Sequence, residues 1–335
     1  MYAKRGSILI FVLILVIIFG LAFLIYWIAI KNKTANNLSS APTASTANTA
    51  LQNTTETWKK FSDVLFDATS TDTHKLADGT YRTYLMQEGQ IVYADSKDAI
   101  TYSAPMPTGI TEDAGMMISN PAVIETTPGN WIMIYEMSPI KQPGQKEKMN
   151  GKTNQRNLYM ATSTDGKNFT KSGIAIDSSK EDNYFASVPD LIKLSDGKIR
   201  MYYVSGGEAI GSAISADNGK TWTRETGYRL QNMAVDPDVM LKQINGKDKY
   251  VMYYSVLSGP GNKILKSTSA DGLNWTEGQT ILEATDTNTS IIDPDVVEID
   301  ANHYRMLFGE MSGDSATSGA MPKLYYADIN TNIFN

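Results

Sequence analysis

The sequence predicts an all-β chain, a five-bladed β-propeller preceded by a single N-terminal transmembrane helix. Three observations predict it: a strand-pair pattern repeated five times, turn-bounded Tyr-, Met-, Val- and Ile-rich runs with no long 3.6-residue period after residue 60, and one uncharged apolar run near the start. The repeat is clearest in four segments, Asn120-Pro121-Ala122-Val123-Ile124, Val188-Pro189-Asp190-Leu191-Ile192, Asp236-Pro237-Asp238-Val239-Met240 and Asp293-Pro294-Asp295-Val296-Val297. Each is a short apolar strand behind a proline. After a turn containing Gly, Asp or Asn comes a second strand: Trp131 to Met137, Lys198 to Val204, Lys249 to Ser255 and His303 to Phe308. A fifth copy, Asp72 to Tyr84, aligns without a gap on Asp190 to Tyr202. A period of roughly 40 to 65 residues suits propeller blades, and the lack of helical periodicity excludes a helical solenoid of similar repeat length. The methionines of the second strands (Met133, Met137, Met201, Met252, Met306, Met311) read as filling between blades.

From Ser7 to Ile30 the chain runs 24 residues without a charge, enough at ~1.5 Å per residue to cross a ~30 Å hydrocarbon layer. A cleaved secretory signal would carry only ~7–15 apolar residues, so a retained anchor is expected. Gly6-Ser7 after Lys4-Arg5 resembles a pilin-type leader, but Phe11 stands where such leaders carry a Glu. Basic residues flank both ends of the span, and the six-residue tail favours an inside N-terminus and an extracytoplasmic propeller. Tyr26 and Trp27 suit the interfacial aromatic belt. The expected division is thus a basic tail at 1–6, an anchor at 7–30, a Thr/Ala/Asn/Ser-rich linker at 31–57 and the propeller at 58–335. Apart from Lys4, Arg5, Lys31 and Lys33, 26 bases face 36 acids, a balance of −10, which excludes a nucleic-acid binder. With no cysteine the domain relies on no disulfide. No phosphate-binding loop, dinucleotide fingerprint or serine-nucleophile elbow is present.

Three third strands run into turns of one type: Ser163-Thr164-Asp165-Gly166-Lys167-Asn168-Phe169, Ser215-Ala216-Asp217-Asn218-Gly219-Lys220-Thr221-Trp222 and Ser269-Ala270-Asp271-Gly272-Leu273-Asn274-Trp275. They resemble the Asp-box of sialidases and related propellers, a structural turn in which Asp caps backbone N–H groups, Gly takes a positive φ and the aromatic packs on the sheet. The five-fold repeat, with Asp-Pro or Pro-Asp opening the first strand and an aromatic-rich second strand, resembles the five-bladed propeller glycosidases over about residues 62 to 330. These include arabinanases, xylosidases, invertase-like furanosidases and mannoside phosphorylases. The resemblance implies that the working carboxylates ring one mouth of the central channel, where the first strands begin. It also implies a carbohydrate partner. Asp236, Asp293 and Asp72 are then candidate catalytic acids, Glu136 and Glu310 candidate proton donors at the ends of second strands, and Asn120, Asp190, Asp238, Asp295 and Glu208 candidate substrate-binding groups. Crowded like charges raise each other's pKa, which a general acid needs, and paired carboxylates ~5–9.5 Å apart hydrolyse glycosides.

The chain departs from the arabinanase-type pattern. That pattern has an Asp directly before Pro in blade one, an Asp directly after Pro in blade two and a Glu two residues before Pro in blade three. Here Asp72 has no proline, and Ala122 and Ser187 stand in the other two places. The phosphate-binding basic cluster of the phosphorylases is not evident. An Asp beside Pro at a strand start is also a turn former, and a role repeated in four blades favours that structural reading. Arg82, Arg200 and Arg305 hold equivalent places, which reads as inter-blade salt bridges rather than a sialidase triad. His74 and His303 lack ligand spacing, so no zinc site is expected. No cofactor is expected, Ca²⁺ being the one ion whose preference for oxygen ligands the mouth would suit. Three functions follow: a membrane-anchored glycoside hydrolase acting through paired carboxylates, a non-catalytic glycan- or envelope-binding propeller, and a sialidase, which would need more blades. Nothing in the sequence fixes the oligomeric state.

Overall fold

The structure is a computed structural model that describes residues 56–140, 155–257, 261–284, 286, 288–312 and 322–334. The expected tail, span and all but the last two residues of the linker lie outside them. Among the described residues no helix is long and apolar enough to cross a membrane. A short strand, β1 (Lys59–Lys60), precedes five antiparallel blades. Blade one is β2 (Asp72–Lys75), β3 (Tyr81–Gln87), β4 (Gln90–Ser96) and β5 (Met106–Thr111). Blade two is β6 (Met116–Thr127), β7 (Asn130–Pro139), β8 (Asn157–Ser163) and β9 (Thr170–Ile176). Blade three is β10 (Ala186–Lys193), β11 (Ile199–Ser205), β12 (Ala209–Ser215) and β13 (Thr223–Arg224). Blade four is β14 (Ala234–Ile244), β15 (Lys247–Val256), β16 (Lys263–Ser269) and β17 (Gln279–Leu282). Blade five is β18 (Thr289–Asp300), β19 (His303–Ser312), β20 (Lys323–Asn330) and, as its outer strand, β1. Five blades remove the sialidase reading, which needed more.

The prolines shape the inner strands. Proline has no N–H to give a ladder and is tolerated in a strand only at an edge, a start or a bulge. Pairing of the first two strands accordingly shifts between Ser119 and Ala122, Ser187 and Asp190, Val235 and Asp238, and Ile292 and Asp295. Within each shift the residue before proline turns left-handed: Asn120 (φ 51°), Val188 (43°), Asp236 (53°) and Asp293 (52°). In blade one Ser70 (53°) does the same without a proline. The bulge separates the two acids of each Asp-Pro-Asp and sends them to different levels of the channel.

Apolar residues of the second strands fill the spaces between blades, with Tyr84, Ile134, Tyr202, Tyr253 and Leu307 at one equivalent, fully buried position. The three arginines differ from expectation. Each pairs with an acid of its own blade, Arg82 with Asp95 (2.7 Å), Arg200 with Glu225 (2.8 Å) and Arg305 with Asp328 (2.7 Å). The link to the next blade is a hydrogen bond donated to a turn carbonyl, of Gly166, Asp271 and Asp98 respectively. In these turns the Asp carboxylate accepts two backbone N–H groups, those of Lys167 and Asn168 at Asp165. Blade one carries the same turn, with Asp98 accepting from Ile100 and Thr101, although Ala99 (φ 54°) takes the glycine place that made the others legible.

The ring closes through its N-terminus. Lys59 and Lys60 pair with Asp328 and Ala327, Trp58 packs edge-on against Tyr253 (centroids 5.6 Å apart), and Glu56 pairs with Lys266 (2.8 Å). This outer strand of blade five was not part of the sequence reading. Trp58→Ala removes a buried indole across blades four and five and is expected to cost about 3–5 kcal/mol, measured by denaturant unfolding of a fragment starting at residue 56. A fragment starting at residue 67, which lacks β1 as well, is expected to melt lower still.

Candidate functional site

The bulges build two rings around the channel. The upper ring, at the mouth where the first strands begin, is Ser70, Asn120, Val188, Asp236 and Asp293. The lower ring is Asp72, Ala122, Asp190, Asp238 and Asp295. In the lower ring each carboxylate accepts the backbone N–H of the following blade: Val123 to Asp72 (2.5 Å), Val239 to Asp190 (2.9 Å), Val296 to Asp238 (3.3 Å) and Thr73 to Asp295 (3.1 Å). The Thr71 and Thr73 hydroxyls also donate to Asp295 (2.7 Å each). Ala122 leaves blade two without such a carboxylate.

Four acids surround one narrow waist. Desolvation, then the Asp72 charge, push Asp190 up to about 8 and Asp295 up to about 6. Desolvation and the neighbouring Asp190 charge hold Asp238 well above the usual carboxylate range. Burial lowers the His74 pKa, but the Asp72 carboxylate 2.9 Å away, with the Asp295 and Asp190 charges, outweighs it and the net shift is upward. Below the waist the channel widens into a cavity of about 420 Å³ reached by His74, Met240 and Glu298.

At the mouth, Asp236 and Asp293 lie side by side. Desolvation, then the Asp293 charge, raise Asp236 well above the ordinary range. Asp293 accepts the Thr69 and Ser70 hydroxyls, the latter at 2.9 Å, and donates its N–H to Ser255 Oγ (3.1 Å). Thr69 gets this close because residue 309 is glycine; a Cβ there would collide with the threonine hydroxyl. The cavity at this mouth is only about 30 Å³.

The other candidates are dispersed. Glu136 on β7 is fully buried and accepts from Arg156 (2.8 Å), Asn120 (2.8 Å) and Ser187. Arg156 in turn lies over the Phe185 ring at 4.5 Å. Glu310 pairs with Lys60 (2.6 Å) beside β1, and Glu208 is exposed in the turn between β11 and β12. Asp72, placed with the mouth acids by the sequence reading, belongs to the lower ring, and Ser70 holds the upper place of blade one. The spacing was available in the sequence: Ser70 precedes Asp72 by two residues, as Asp236 precedes Asp238. Thr69, Arg156 and Ser255 were missed, since nothing local marks a residue that acts across a blade boundary. Among the described residues no group of three His, Asp or Glu side chains is arranged to hold a metal ion.

The fold is a five-bladed propeller of the type found in glycosidases. Solved structures share this architecture: an exo-β-1,3-galactanase described as putative from Bifidobacterium bifidum (14% identity, 81% of this chain and 92% of that one, TM-score 0.57) and a Bacillus subtilis arabinanase (15%, 80% and 95%, 0.54). A third is a Phanerochaete chrysosporium exo-β-1,3-galactanase solved with β-1,3-galactotriose (12%, 78% and 60%, 0.58). The similarity is one of fold. No protein-family model and no curated protein matches the sequence.

The lower ring sets a pH dependence. An acid whose pKa is raised by folding stabilises the folded state below its unfolded value, near 3.8, and that contribution is lost as pH rises through the folded value. The melting temperature is therefore expected to fall between pH 5 and pH 8.5. Asp190→Asn keeps an acceptor for the Val239 N–H and removes the charge, and should at least halve that slope in a melting series; an unchanged slope would refute the assignment.

Proposed function

We propose that the chain is a non-catalytic carbohydrate-binding propeller, built on the glycosidase architecture and held at the outer face of a membrane by the 7–30 span. One observation carries the reading: the three places that hold acids in the arabinanase-type pattern are Ser70, Ala122 and Ser187. The remaining acids are engaged elsewhere. Glu136 is matched by Arg156, and Asp236 and Asp293 line a mouth cavity of only about 30 Å³, whereas hydrolysis needs carboxyl groups ~5–9.5 Å apart with room for a sugar or a water. The four Ser-x-Asp turns are Asp-boxes in this reading, structural devices far from the mouth. The sugar-bound galactanase of the same fold supports carbohydrate as the ligand class.

A hydrolase reading is favoured by one feature, the Asp236–Asp293 pair, in which burial and the Asp293 charge raise the Asp236 pKa in the direction a general acid needs. Assays separate the two. The full chain is expected to be retarded by at least one neutral polysaccharide among β-1,3-galactan, arabinan and xylan in affinity electrophoresis, and to release no reducing sugar from any. Sugar release abolished by Asp236→Asn would establish the hydrolase instead, and neither retardation nor release would sink both.

A further inference from the structure

The five junctions between blades are not sealed alike on the face opposite the mouth. Three are closed by the arginines described above, where blades one, three and five each reach the turn of the next blade. The junction of blades four and five has Val251 at the equivalent place, and the C-terminal Ile333 and Phe334 pack there, their carbonyls accepting from Lys266 (2.7 Å) and Lys249 (3.0 Å). Between blades two and three the equivalent residue is Ile132, and the facing turn is one residue longer, with Asn218 in a left-handed conformation (φ 60°) ahead of Gly219. Gly219 lies so close that a Cβ would strike the Ile132 Cδ1. Beside this contact a cleft of about 590 Å³ opens, within the ~300–1,000 Å³ usual for ligand sites.

The lining has a definite chemistry. Ile132 and Met160 supply an apolar floor, and Asn130, Asn168, Asn218 and Thr162 supply amides and a hydroxyl. Among the lining residues Lys220 is the single charged group, and no carboxylate is present. That set suits a ligand with many hydroxyls, an apolar C–H face and no charge, unlike the acid-walled channel. We infer that the cleft between blades two and three binds a short neutral oligosaccharide, at a site separate from the channel mouth. The inference rests on the carbohydrate-binding reading and gives it a location.

The sister blades provide the test. Arg82 faces Asp95, and Arg305 faces Asp328, at the register positions that Ile132 and Thr162 occupy in blade two. Ile132→Arg with Thr162→Asp therefore installs in blade two the seal found in blades one and five. The full chain in a sugar-free detergent would be titrated calorimetrically with β-1,3-galactotriose, arabinohexaose and xylohexaose, and with trigalacturonic acid as the charged comparison. At least one neutral probe is expected to bind, at least tenfold tighter than the charged one. The double variant is expected to lose tenfold or more at an unchanged or higher melting temperature. Thr162→Trp, which fills the cleft from an exposed strand position, serves as a second variant if the first does not fold. Binding that survives a folded cleft variant overturns this site and leaves the carbohydrate reading intact; no binding of any neutral probe overturns both.

Discussion

Four carboxylates at the waist of the channel each accept a backbone N–H from the blade that follows, and the rest of the ring depends on this contact. The innermost strands are where five sheets come closest, and a β-strand offers its neighbour across such a gap only side chains. A carboxylate two residues past the bulge fills the need, since a charge-assisted hydrogen bond to an amide is stronger than a neutral one. Gathering like charges in a narrow channel has a cost, which proton uptake at Asp190, Asp238 and Asp295 relieves. The waist is therefore partly protonated at neutral pH for structural reasons, without any reaction to require it.

Only blade two lacks both the carboxylate and the arginine. Blade two has Ala122 in place of the carboxylate and Ile132 in place of the arginine, so both kinds of fastening to blade three are missing. Nearer the mouth the same junction holds the Arg156–Glu136–Asn120–Ser187 network, which fixes β7 and the following blade by buried polar contacts instead. A buried ion pair of this kind contributes little net stability over an apolar alternative, but breaking one partner is costly, so Glu136 is locked in place. On the opposite face Lys193 of blade three donates to the Thr126 carbonyl (2.7 Å) where other junctions have the arginine, and the cleft opens beside this contact.

Much of the architecture was legible in the sequence because propeller blades repeat: Asp-Pro-Asp, the second strands and the Ser-x-Asp turns reveal themselves by alignment even where no single segment is decisive. What stayed hidden was whatever does not repeat. β1 is two lysines with no alternation of their own, and it becomes a strand only because β20 presents an unpaired edge. Ala99 hides a fourth turn because its left-handed φ is imposed by the bonds Asp98 makes. The site was legible as a list of acids but not as two rings, because a one-residue register shift at each bulge decides which acid faces the mouth, and alternation alone does not place such a shift.

The two rings differ in what they constrain. The lower ring keeps Asp in four blades of five, as a fastening role demands, whereas the upper ring holds Ser, Asn, Val, Asp and Asp and conserves only a left-handed backbone. Even a β-branched Val188 is held there, a conformation that costs about 1–3 kcal/mol and persists because the bulge and the proline leave no alternative. Side-chain identity at the upper ring is thus free of the fastening requirement, and the Asp236–Asp293 pair needs a separate explanation. Its partners supply one. Asp293 takes hydroxyls from Thr69 and Ser70 of the segment entering blade one, and Ser255 ties it back to blade four. Blades four, five and one are also where β1 closes the ring against β20. A carboxyl pair held at that seam acts as a latch on the closure, so the raised Asp236 pKa is accounted for by the fold before any catalytic role is invoked.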